Sequence, residues 1–150
     1  MQQLPTDETI RAALNRTHAR LHRQHELVVE FGVVSLQVTE LDLLLTRACE
    51  VVAEGMNTRY AKVLQPELDG DGFVLSHGVG WDAADIGRAT VGADEASPAG
   101  YALATYRPVL SNHLGMENRF RTPELLKKYG IERAINVPIR GVLGPFGVLE

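Results

Sequence analysis

The chain has 150 residues, 45% hydrophobic and 23% charged, with a formal net charge of -4 and a pI near 5.7. That size and balance describe one ordinary globular domain with enough chain to bury a core, and they offer no electrostatic footprint for nucleic acid or an anionic membrane. Cys49 is the sole cysteine, which excludes an internal disulfide and a multi-cysteine metal site; no stretch reads as a membrane span or signal peptide, so the expected location is cytoplasmic.

Residues 6 to 30 lack glycine and internal proline and are predicted to be helical. Ile10, Leu14, Leu21, Val28 and Phe31 recur at heptad a/d spacing, with Thr17 and Gln24 as polar interruptions, which suits a helix that pairs with another helix. Gly32 and the apolar run Val33 to Val38 continue or bend it. Up to residue 25, Arg11, Arg16, Arg20 and Arg23 outweigh Asp7 and Glu8, a mildly basic stretch that reads as a solvated helix face. Thr39 to Asp42 resembles a capping box with Thr39 as the cap. The helix it opens places Leu41, Leu44, Leu45, Ala48 and Val52 on one face and stops at Gly55.

Two strands are predicted next, about Thr58 to Gln65 and Phe73 to Gly78. Asp69-Gly70-Asp71-Gly72 joins them, and its Asp-Gly pairs favour a hairpin. Gly80 to Ala96 is small, polar and glycine-rich, hence a loop. Ser97-Pro98 supplies a cap and a first-turn proline for a helix to about Tyr106; Arg107-Pro108 ends it, and Val109 to Ser111 starts a strand. Thr122-Pro123-Glu124 repeats the cap-plus-proline signal for a short helix to Tyr129, closed by Gly130. Two last strands, Ala134 to Arg140 and Phe146 to Glu150, flank a turn containing Gly141, Gly144 and Pro145. Mixed neighbours joined by short turns predict an α+β fold, an antiparallel sheet with helices on a face or edge.

The stretch Arg23 to Phe31 reads RQHELVVEF, and His-Glu-Leu resembles the start of a histidine-kinase phospho-acceptor box. Such a box usually continues Arg-Thr-Pro-Leu, whereas Val28, Val29, Glu30 and Phe31 stand there. No asparagine box or matching glycine boxes follow, and there is no room for an ATP-binding kinase domain, so His25 is not expected to be a nucleophile. His18, His22 and His25, at i, i+4 and i+7, share a helix face that could offer imidazoles to zinc or nickel. Arg20 and Arg23 would repel a cation there, and a solvated basic surface is the expectation. Cys49 borders the apolar face and is expected to be a buried thiol. Gly78-Val79-Gly80 and Gly87 do not match a dinucleotide fingerprint and follow a hairpin strand, so they read as flexible backbone.

Four stretches carry a family resemblance: RACEVVAEGMNTRYAKVLQ, GVGWDAADIGRATVGADEASPAGYALATYRPVLSN, RFRTPELLKKYGIERAINVPIRG and GPFGVLE. Over roughly residues 36 to 150 the chain resembles a GAF domain, in particular those upstream of bacterial histidine kinases of the HWE type. The resemblance implies a GAF-like central antiparallel sheet with the N-terminal helices on one face and a loop and short-helix ligand pocket on the other. It divides the chain into a signalling and dimerisation helix over residues 1–35 and a GAF domain over 36–150. In the family a C-terminal helix follows the last strand and packs beside the N-terminal one. The sequence ends at Glu150 inside the last predicted strand, so that helix is expected to be missing.

For function, the resemblance implies a non-catalytic cytoplasmic sensor that binds a small molecule or mediates dimerisation to regulate a histidine kinase in two-component signalling. A homodimer through the N-terminal helices and a downstream kinase domain are the implied partners, with no nucleic acid and no membrane. The alternatives are the effector-binding domain of a transcription regulator, or a GAF-fold enzyme of the methionine sulfoxide reductase type. Cys49 is misplaced for a covalent bilin and alone does not reproduce reductase thiol chemistry. Cyclic nucleotide is disfavoured because the Asn-Lys-Phe-Asp-Glu pattern is absent, and haem because His113 lacks a recognised haem motif. The candidate ligand-binding residues are Trp81 as an aromatic wall, Tyr101 and His113 as polar contacts, Arg119 as an anion partner, and Asn136, alternating with Ile135 and Val137 on its strand. Each has a structural alternative: a loop anchor for Trp81, core for Tyr101, a surface ion pair for Arg119 and a loop-capping hydrogen bond for Asn136.

Overall fold

Helix α1 (Asp7–Ser35) begins at an N-cap, Thr6, whose hydroxyl accepts a bond from the Thr9 amide at 3.4 Å, with Asp7 and Glu8 in the first turn where carboxylates suit the helix dipole. The computed structural model describes residues 6–150 and contains two compact units, one extending to Thr58 and the other from Arg59 to Glu150. α1 continues beyond residue 30 through Gly32 and Val33, one of the two courses expected for that run. Gly32 does not stop it, and the helix closes where the Leu36 amide reaches the Val33 and Val34 carbonyls. α2 (Leu41–Gly55) is capped by Glu40 without a side-chain bond, so Thr39 is not the cap it was expected to be. The left-handed residue beyond its end is Asn57, with φ 49°, rather than Gly55.

Within this first unit α1 packs on α2 through Leu27, which the heptad reading left out, and Gln24, which it counted as a polar interruption of the seam. Leu27 is 1% exposed and reaches Gly55, where a Cβ would stand 3.4 Å from its Cδ1. Gln24 Nε2 donates to the Gly55 carbonyl at 2.7 Å, and Arg23 Nε donates to Glu54 at 3.0 Å. Ile10, Leu14, Leu21 and Val28, apolar positions of the predicted seam, are 45% to 65% exposed. On α2 the buried residues are Leu45, Cys49 and Ala53, while Leu41, expected on the apolar face, is exposed. Cys49 is fully buried, as expected. Among the described residues no helix is long and apolar enough to cross a membrane.

The second unit is a six-stranded sheet, β1 (Ala61–Pro66), β2 (Gly72–Val79), β3 (Thr90–Gly92), β4 (Val109–Ser111), β5 (Ala134–Gly141) and β6 (Gly144–Leu149), in the order β3-β2-β1-β6-β5-β4. Every pairing is antiparallel, so the α+β expectation holds. The Asp-Gly hairpin forms as predicted and is closed by the Glu67 amide on the Gly72 carbonyl at 2.9 Å. β3 lies inside the segment predicted to be loop; Thr90 and Val91 are too short a β-branched run to signal a strand, and pairing with β2 is what extends them.

Helix α3 (Pro98–Thr105) has the predicted cap. Ser97 Oγ accepts from the Gly100 amide at 2.9 Å, and Tyr106 ends the helix at φ 52°. α4 (Glu124–Lys128) differs. Pro123 holds its cap position, and the Thr122 hydroxyl donates instead to the Leu114 carbonyl at 2.9 Å, tying α4 to a 3-10 turn at Leu114–Met116. α3 packs over β5 and β6, and α4 against β3. Beneath them Leu64, Phe73, Leu75, Val91, Ala99, Leu114, Leu126, Ala134 and Val148 form one apolar core. The sheet face that carries this core also carries Trp81 and Asn136, two of the candidate residues.

Candidate functional site

Strand register lines up polar side chains across the middle of the covered face. Lys62 and Glu150 exchange both backbone hydrogen bonds, at 2.8 and 2.9 Å, and therefore stand directly opposite one another. Val137 pairs with Leu149, so the next position sets Asn136 against Glu150 on the other side. Side chains alternate along a strand, which gives Glu150 and Asn136 the same face as Val148 and Ala134 of the core. The result is a row, Lys62, Glu150, Asn136, inside an otherwise apolar interior.

At the β1 end the row is well matched. Lys62 is 1% exposed and ion-paired with the Glu150 carboxylate, and its Nζ lies 4.5 Å from the centroid of the Trp81 ring. Trp81 is held by its own Nε1, which donates to the Ala61 carbonyl at 2.9 Å. It packs at 4.8 Å from Tyr129 and 5.1 Å from Tyr60, centroid to centroid. Gly78 lies in β2 as the predicted strand had it, and its missing side chain serves to admit this indole, where flexible backbone was the expected role. A Cβ there would lie 2.6 Å from Trp81 Cδ1. Tyr129 accepts from the Asp82 amide at 3.0 Å and donates to Asp85, which Lys128 also meets at 2.7 Å. Lys128 and then the Tyr129 hydroxyl hold the Asp85 carboxyl below its usual range, while burial and then Asp85 push the Tyr129 phenol up.

At the β5 end Asn136 is fully buried, and neither its Oδ1 nor its Nδ2 has a hydrogen-bond partner. Its neighbour on β4 is Val109. Two residues further along that strand, Ser111 donates to Glu117 at 3.3 Å. Arg119 grips the same carboxylate with two bonds of 2.7 and 3.0 Å, adds its backbone amide at 2.9 Å, and spends a further bond of 2.8 Å on the Leu110 carbonyl. The guanidinium first, then the amide, hold the Glu117 carboxyl down from 4.5 to about 2.

Of the five predicted residues, Trp81 and Asn136 flank the two ends of one row. Tyr101 and Arg119 meet across Phe120, whose ring lies 5.3 Å from Tyr101 and 5.2 Å from the guanidinium carbon. Tyr101 is 39% exposed, and His113 is exposed at the start of the 3-10 turn. Sequence reasoning missed Lys62, Glu150, Tyr60 and Tyr129. The signal for the first two was there: Lys62 alternates in step with Leu64, and Glu150 with Val148, a charge at a core position of each strand. His18, His22 and His25 are exposed on α1, with His22 Nδ1 3.2 Å from Glu26, and no group of three metal-ligating side chains forms among the described residues. A shallow groove of about 500 Å³ at one end of the sheet, lined by Pro66, Asp71, Phe73, Leu103 and Pro145, contains none of the predicted residues.

Comparison with curated proteins finds no match. Solved structures do resemble this fold. The GAF domain of a phosphoenolpyruvate-protein phosphotransferase from Coxiella burnetii superposes with a TM-score of 0.67 at 12% identity, covering 87% of this chain and 74% of that one. The A. aeolicus nlh2 GAF domain in an inactive state gives 0.68 at 13% identity, covering 87% and 78%. Free methionine-R-sulfoxide reductase from Neisseria meningitidis, in complex with its substrate, gives 0.67 at 17% identity, covering 99% and 77%. At these identities the likeness speaks for the fold. The GAF domain family model matches residues 40–149, the whole of the second helix and the whole sheet, and the chain belongs to the GAF domain family.

Proposed function

We propose that this chain is a non-catalytic, cytoplasmic sensory domain that binds a small molecule on the covered face of its sheet and thereby regulates a histidine kinase in two-component signalling. The observation that carries the reading is Asn136, a fully buried carboxamide with both polar atoms unpartnered. Such a group destabilises a core that serves only as a core, and local rules of this kind are broken where function requires it. The sequence stretches similar to GAF domains upstream of HWE-type kinases support a kinase as the output. The exposed stripe Ile10, Leu14, Leu21 and Val28 on α1 supports a helical partner, a second copy of this chain in a homodimer. Cys49, buried on α2, supports binding in preference to thiol chemistry.

The mechanism is differential affinity. A ligand that prefers one geometry of the covered face shifts the population towards it, and the paired helices report that shift. The test uses Leu14→Cys or Leu21→Cys chains, crosslinked after fresh purification and again after unfolding and refolding to strip any bound molecule. The two preparations are expected to crosslink at different rates. Equal rates in a preparation shown to carry a ligand would sink the sensory reading.

A further inference from the structure

We infer that Asn136 is the recognition point for a neutral ligand presenting a hydrogen-bond donor and an acceptor side by side, as the edge of a primary carboxamide, a lactam or a ureide does. The inference deepens the sensory reading above and rests on it.

Valence carries the first step. A carboxamide offers two N–H donors and an acceptor oxygen, and in Asn136 both atoms are buried without a partner. A ligand with only a donor, or only an acceptor, settles half of that demand. An amide edge settles both through two parallel hydrogen bonds, the pairing asparagine makes with any donor-acceptor edge in one plane.

Charge carries the second. The carboxylate that register sets opposite Asn136 is Glu150, and Lys62 already balances it. The row is neutral as it stands, so a ligand of net charge would enter a buried site with no counter-ion. An uncompensated buried charge costs far more than an unpaired amide.

The surroundings carry the third. Val109 flanks Asn136 on β4, and Ala134 precedes it on its own face. The nearest polar side chains on that strand and turn are committed elsewhere, Ser111 to Glu117 and Glu117 to Arg119. Among the described residues, Asn136 alone combines full side-chain burial with open capacity for both a donor and an acceptor.

The experiment follows the side-chain amide pair of Asn136 by ¹⁵N NMR in refolded, ligand-free chain, with the resonance assigned by its loss in Asn136→Leu. Nicotinamide and uracil are the probes; N,N-dimethylnicotinamide, 1,3-dimethyluracil and the charged nicotinate are the comparisons. At least one probe is expected to shift the Asn136 pair, and its N-methylated analogue to bind at least about tenfold more weakly, the worth of a lost buried hydrogen bond. Nicotinate is expected to leave the pair unmoved, and folded Asn136→Leu to lose the probe's binding. Equal binding of the methylated analogues, preference for nicotinate, unchanged binding by Asn136→Leu, or silence across the panel would each overturn the inference. A charged molecule found on freshly purified chain would remove the amide-edge claim while leaving the sensory reading standing. Equal helix crosslinking with and without that molecule would remove the sensory reading itself.

Discussion

At its β1 end the buried row places Lys62 against both a carboxylate and an indole face, and the indole N–H and the nearby phenol have partners of their own. At its β5 end, one strand beyond Glu150, Asn136 has none. Both ends lie on the same sheet face, and both side chains are essentially inaccessible to solvent. A polar group that is paired within the fold is explained by the fold. One that is equally buried and unpaired is the feature on which the proposed binding role of Asn136 rests. The contrast lies in pairing, not in burial or residue type, since both ends place polar side chains in an apolar core.

The largest effect should come from breaking the matched end. Lys62→Met leaves Glu150 buried without its cation and is expected to cost about 3–5 kcal/mol of stability in urea unfolding. Removing both partners, as Lys62→Met with Glu150→Leu, should recover most of that loss. A small effect from Lys62→Met alone would show that the ion pair is not closed off from water, and the contrast between the ends would weaken.

Next comes the unmatched end, with the opposite sign. Asn136→Leu replaces an unpaired carboxamide by an apolar group of similar size and should raise the stability of ligand-free chain by about 1–3 kcal/mol. A loss of stability would mean that the amide has a structural partner.

Smaller again is Tyr129→Phe, which removes the hydroxyl that accepts from the Asp82 amide and donates to Asp85. Hydrogen exchange at the Asp82 amide should accelerate, with a slight fall in melting temperature and no change at Asn136. A disturbance of the Asn136 amide pair in this variant would couple the two ends that the structure keeps separate.

The smallest effect concerns pH. Glu117 titrates at about 2 in the fold against an ordinary 4.5, so the fold is favoured by its ionised form. That contribution is complete above pH 4.5 and is lost as pH falls from there through about 2. Asp85 and Asp94 are shifted in the same direction by Lys128 and Arg121. Stability should therefore be insensitive to these carboxylates near neutrality and fall in acid, and Glu117→Gln should flatten part of that fall. A profile for Glu117→Gln that matches the parent would show that Arg119 does not hold this turn.

What could be read in the sequence follows from how local each signal is. Ser97-Pro98 named α3 and its cap because capping is decided within four residues, and Asp69 to Gly72 named the hairpin for the same reason. Thr39 and Thr122 misled because a threonine before a helix has alternatives; Thr122 bonds across to Leu114. β3 exists only through pairing with β2, which no window of a few residues contains. The heptad reading of α1 found its apolar stripe but not Leu27, because the α2 contact lies on the flank of that stripe. At the site, Asn136 was legible from strand alternation, and Trp81 from being the sole tryptophan in a glycine-rich segment. Their relation was not. It needs the register that brings Lys62 beside Glu150 and Glu150 opposite Asn136, three strands drawn from both ends of the GAF unit.

The central claim, that the unpaired end of the row receives a small molecule, is tested most directly by native mass spectrometry of freshly purified parent and Asn136→Leu chains, each weighed again after denaturation. Extra mass is expected on the parent, released on denaturation and absent from a folded Asn136→Leu chain. The same adduct on both chains, or on neither, would contradict it.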